Sequence, residues 1–84
     1  MKPVRLTKHA LEQCQERGAT PGEVSQAIER GTREQAKMNR TLCRLNFMYD
    51  DSWQGTRYSV KQVAPVIVEE PDEIVVVTVY TFYF

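Results

Sequence analysis

Glu73-Ile74-Val75-Val76-Val77-Thr78-Val79-Tyr80-Thr81-Phe82-Tyr83 is the stretch on which the fold turns. β-Branched and aromatic residues fill it, and such side chains suit a pleated, packed surface. With a period of two, Val75, Val77 and Val79 share one face. Ile74, Val76, Thr78, Tyr80 and Phe82 share the other. Both faces begin apolar, which predicts a central strand covered on both sides at that end.

Working backward, Glu69-Glu70-Pro71-Asp72 has turn chemistry and joins this strand to another over residues 56–68. There Tyr58, Val60 and Gln62 alternate with Arg57, Ser59 and Lys61, and Pro65 predicts a bulge or a sheet edge. Residues 50–55 read as a loop. Residues 41–49 read as a strand with Cys43, Leu45, Phe47 and Tyr49 on one face, and residues 33–38 as a weak edge strand.

Before Gly31 the period is helical. Thr7 caps a helix over roughly 8–18 that Gly18 ends, with Leu6 and Leu11 spaced as a hydrophobic staple. Thr20-Pro21 opens a second helix, with Glu23 in its first turn and Val24, Ala27 and Ile28 on its buried face. The expected fold is therefore α+β, a helix pair on a four-stranded, mostly antiparallel sheet, in one domain over 1–84. Its expected core is Leu11, Cys14, Val24, Ile28, Leu45, Phe47, Val75, Val77 and Val79.

The formal net charge is zero, which excludes a protein that holds nucleic acid by bulk charge alone. The charges are unevenly spread, however. Residues 1–44 carry nine Lys and Arg against five Glu; residues 45–84 carry two cations against six acids. That split suits a basic working face, or two halves that neutralise each other. Cys14 and Cys43 fall within apolar patterns and read as buried thiols. No Cys/His spacing suits a metal, no signal peptide is visible, and no apolar run approaches the roughly 20 residues of a membrane helix. No metal, no other cofactor and no membrane contact are expected, and the cytoplasm is the expected compartment.

His9 is the only histidine. An imidazole can take a proton from a ribose 2′-hydroxyl, although a first-turn helix position also suits a merely solvated His. Gln13 and Arg17 follow at i+4 and i+8 on the same helix face. Arg17 can clamp phosphate or simply complement the helix dipole. Arg44, Arg57 and Lys61 lie on strands, with Thr78 and Tyr80 on a neighbouring one. Together they would make either a phosphate-and-ribose platform or a solvated sheet face. Trp53 can stack on a base, or pack on the sheet end or a protein partner.

Leu6 to Val24 reads L-T-K-H-A-L-E-Q-C-Q-E-R-G-A-T-P-G-E-V, with Gly31 after the second helix and V-V-T-V-Y at Val76–Tyr80. The combination resembles the small RelE/BrnT-like toxin superfamily, and within it a domain-of-unknown-function family of small bacterial proteins sharing these motifs. The resemblance implies a barnase/EndoU/RelE-like fold. It also implies a metal-independent endoribonuclease on single-stranded RNA, the toxin of a toxin–antitoxin pair, occluded by a small antitoxin protein. It makes His9 and Arg17 the catalytic candidates. Lys8, Arg44, Arg57, Lys61 and Tyr80 are the candidates for binding RNA phosphate. The alternative is a non-catalytic protein-binding module of the same fold.

Overall fold

The change of period at Gly31 holds, with helices before it and strands after it, apart from one strand at the start. The computed structural model describes residues 2–84. In chain order the elements are β1 (Val4–Leu6), α1 (Lys8–Arg17), α2 (Pro21–Arg30), β2 (Thr32–Ala36), a 3-10 turn (Lys37–Asn39), β3 (Arg40–Trp53), β4 (Thr56–Glu69) and β5 (Ile74–Tyr83).

Local chemistry sets the helix ends. The Thr7 hydroxyl accepts from the Ala10 N–H at 3.1 Å, and Gly18 ends α1 in the left-handed conformation at φ 77°. Thr20 and Glu23 form a reciprocal capping box at the start of α2. Both helices lie on one face of the sheet, over a core that includes Val24, Ile28, Cys43, Val63, Ile67, Val76 and Val79.

The sheet has five strands in the order β1-β5-β4-β3-β2, and it is mixed, which corrects the expected four. β1 runs parallel to β5, with Val4 opposite Ile74 and Leu6 opposite Val76. Three residues carry too little pattern to announce a strand. What makes them one is a distant partner: the Ile74 N–H donates to Pro3 O at 2.9 Å and the Thr7 N–H to Val76 O at 3.1 Å. Arg5 and Glu73 add an ion pair at 3.0 Å, and the guanidinium holds the Glu73 carboxyl below its ordinary range.

β5 is an inner strand only along Ile74–Val76, and β4 is the middle of the sheet. The faces of β5 also differ from simple alternation. Val66 pairs with Thr78 but Ile67 pairs with Val76, a bulge that reverses the side-chain sense at Val77. Ile74, Val76, Val79, Thr81 and Tyr83 therefore share the helix-covered face; Val75, Thr78, Tyr80 and Phe82 share the other. Pro65 sits in the middle strand, two residues from that bulge.

Two further expectations change. Leu11 is 44% exposed, because α1 buries Ala10, Gln13 and Cys14 instead. The expected 50–55 loop is mostly strand, leaving a tight turn at Gln54 and Gly55, both at positive φ. Among the described residues no helix is long and apolar enough to cross a membrane.

Candidate nucleic-acid interface

The two sheet faces carry different chemistry. On the covered face Lys61 is buried. Its ammonium pairs with the Glu23 carboxylate at 2.8 Å, donates to Gly18 O at 3.0 Å and lies 5.4 Å from the Tyr49 ring centre. Beside it Trp53 stacks on Tyr83 at 5.0 Å, and the Tyr83 hydroxyl donates to Arg17 O at 2.7 Å. Gly18 approaches so closely that an added Cβ would strike the Tyr83 hydroxyl and the Trp53 ring. This cluster locks the helix pair to the end of the sheet.

The α1 row meets the sheet edge where β1 stops. Gln13 Oε1 accepts from the Val79 N–H at 2.8 Å and from the Thr78 hydroxyl, and Arg17 Nη1 donates to Val79 O at 2.7 Å. Two side chains thus satisfy edge groups that a neighbouring strand would otherwise bond. Arg17 continues past the edge onto the open face, where its guanidinium stands 5.4 Å from the Tyr80 ring centre.

The register organises that open face. Leu42, Val66 and Thr78 form one cross-strand row; Asn46, Gln62 and Phe82 form another. Between them lies Ala64, paired with Tyr80, with Arg44 on its far side. Tyr80 and Phe82 stack at 6.3 Å, 42% and 43% exposed, and Arg44 stands 5.7 Å from the Phe82 ring centre. The result is an unbroken line across three strands: Arg17, Tyr80, Phe82, Arg44. The small Ala64 side chain lets the larger ones close over the centre of the row.

A cavity opens at each side of this line. One, of about 260 Å³, is lined by Lys37, Met38, Arg40, Leu42, Thr78 and Tyr80 among others. The other, of about 330 Å³, is lined by Arg30, Gly31, Thr32, Arg44, Leu45, Asn46 and Gln62. Neither lining includes a carboxylate.

Three of the candidates chosen from sequence, Arg17, Arg44 and Tyr80, meet on this face. Lys61 does not: it faces the helices and is taken by Glu23. Arg57 sits near the tip of the β3–β4 hairpin, where it donates to Asp50 O at 2.8 Å. Lys8 and His9 are exposed in the first turn of α1. His9 stands in the Gln13–Arg17 row along the outer edge of β5. Arg44 lies on β3, which β4 separates from β5, and neither cavity has His9 in its lining. Phe82, Arg30, Lys37, Arg40 and Gln62 were missed as surface residues. Phe82 was findable, being two positions from Tyr80 on the same face. Burial pushes the thiols of Cys14 and Cys43 up, which makes them poor nucleophiles. Among the described residues no His, Cys, Asp or Glu cluster is placed to hold a metal.

Compared with known proteins, one family profile, described as a domain of unknown function (DUF4258), matches residues 6–81. No curated protein and no solved structure matches.

Proposed function

The chain belongs to the DUF4258 family, whose description assigns no activity, and we propose that it binds single-stranded RNA across the open face of its sheet. The line Arg17–Tyr80–Phe82–Arg44 carries this reading. Single strands offer unstacked bases and a phosphate backbone. Exposed aromatic rings take the first and arginines the second. The zero net charge fits a site that works by a local pattern rather than by bulk charge.

Within this reading the chain acts as the endoribonuclease toxin of a toxin–antitoxin pair, as its resemblance to RelE/BrnT-like toxins implies. His9 accepts the 2′-hydroxyl proton, and the 2′-oxygen attacks phosphorus to form a 2′,3′-cyclic phosphate. The 5′-oxygen leaves with a proton taken from water, His9 then returns its own proton to solvent, and Arg17 stabilises the charged phosphorane. A small antitoxin covers the same face. A second reading, a non-catalytic protein-binding module, is favoured by Met38, Met48 and Phe84, apolar residues that are well exposed.

Binding of a short fluorescent oligouridylate separates the two. In the RNA reading, Tyr80→Ala and Phe82→Ala each weaken binding by about 1–3 kcal/mol, the value of one stacked base. Binding equal to wild type in both variants sinks it. Growth arrest on expression, abolished by His9→Ala with folding intact, tests the cleavage step. Mapping of the RNA ends then shows whether a cyclic phosphate forms.

A further inference from the structure

We propose that the cavity beside Arg44 is a phosphate subsite, and that Glu34 occupies Arg44 until a phosphodiester displaces it. For its natural occupant this rests on the RNA reading above. The cavity opens where β2 begins: Thr32 opposite Arg44 is the first pair of that ladder, so from Leu45 onward β3 is the outer strand. Its floor is rigid. At Gly31 the backbone passes so close to β3 that an added Cβ would run into the carbonyls of Ala27 and Arg44.

Donors line the space. Arg30 pairs with no carboxylate among the described residues, and Arg44 reaches in from β3. Gln62 Oε1 accepts from Arg44 Nη1 at 3.0 Å, while Gln62 Nε2 donates to Asn46 Oδ1 at 2.8 Å. This fixes both amides and leaves the Asn46 nitrogen free to donate. Two guanidiniums facing one space match a tetrahedral oxyanion, which accepts forked hydrogen bonds. The carboxyl end of α2 opposes an anion here, but Arg33 already donates to its Ile28 carbonyl at 3.0 Å. Arg44 also stands over Phe82, so a base on that ring brings its own backbone to the cavity.

Glu34 is the internal competitor. Its Oε1 accepts from Arg44 Nη2 at 3.1 Å and Nε at 3.4 Å, and both side chains remain partly in solvent. An exposed pair of this kind is weak enough for a phosphate to displace.

The test uses the full chain with Arg30→Gln and Glu34→Gln, both at exposed positions where neither change should disturb folding. Oligouridylate affinity is measured across a salt series. Arg30→Gln should lower the slope of log K against log salt by about 0.7, the share of one single-strand phosphate. Glu34→Gln should tighten binding by up to about fivefold, the worth of an exposed pair. Separately, nitrogen NMR follows the Arg44 guanidinium and the Asn46 amide during titration with inorganic phosphate, and both should shift. Wild-type slope and affinity in both variants overturn the proposal, as do Arg44 signals indifferent to phosphate. If wild type does not bind oligouridylate, the RNA reading fails and the phosphate titration alone decides the subsite.

Discussion

Tyr83 shows at the residue scale how buried geometry becomes pH dependence. Its ring lies among Trp53, Tyr49 and Tyr58, and its hydroxyl donates to Arg17 O. Ionisation would bury a charge and lose that bond. Burial first, then the nearby Tyr49 and Glu23, push the phenol up to about 12. An unfolded tyrosine ionises near pH ~10. The unfolded chain therefore releases this proton first, and above that pH the folded state holds more protons. The contribution is complete below pH ~10 and is lost as pH rises toward about 12. Denaturant titrations across that window should show stability falling, and Tyr83→Phe should flatten the fall. The roles of Thr7, Thr20 and Gly18 were legible in the sequence because caps depend on neighbours within four residues. The surroundings of Tyr83 and the task of Gln13 were not, since the hydrogen-bond partners of both are more than sixty residues away and the rings around Tyr83 come from β3 and β4.

Between elements, the pairing of Lys61 with Glu23 clamps α2 onto β4. On β4 alternation correctly put Lys61 and Gln62 on opposite faces, but it does not say which face turns inward. Lys61 looked like a working cation for that reason, and its counter-ion lies on a helix the strand pattern does not mention. Glu23 also closes the capping box of α2, so a single side chain serves the helix start and the buried ammonium. Lys61→Met leaves the carboxylate without its partner. It should cost up to about 3 kcal/mol, the low end for a broken buried pair, because Glu23 keeps some solvent. Urea denaturation measures it; a loss below about 0.5 kcal/mol would mean the clamp is incidental. The bulge at Val77 was illegible for a related reason. A run of valines reads identically in either sense, and only the ladder with Val66 and Ile67 shows the slip.

Across the whole molecule the least legible feature, β1, closes the sheet. Removing residues through Leu6 strips Val4 and Leu6 from the core and bares the inner third of β5. The loss should be about 2–4 kcal/mol from apolar burial alone, read as a lower melting temperature. Light scattering that rises with protein concentration should accompany it, since an uncovered valine-rich edge recruits other chains. A melting curve unchanged by the truncation would show β1 to be ornamental. The same strand has a consequence in time. At synthesis rates of roughly 5–20 residues per second, Val4 is made about 4–14 s before its partner Ile74. Until then α1 has no strand beneath it, and neither Tyr80 nor Phe82 yet exists. The surface assembles last and all at once, so a nascent chain stalled before its final strand lacks both rings of that face.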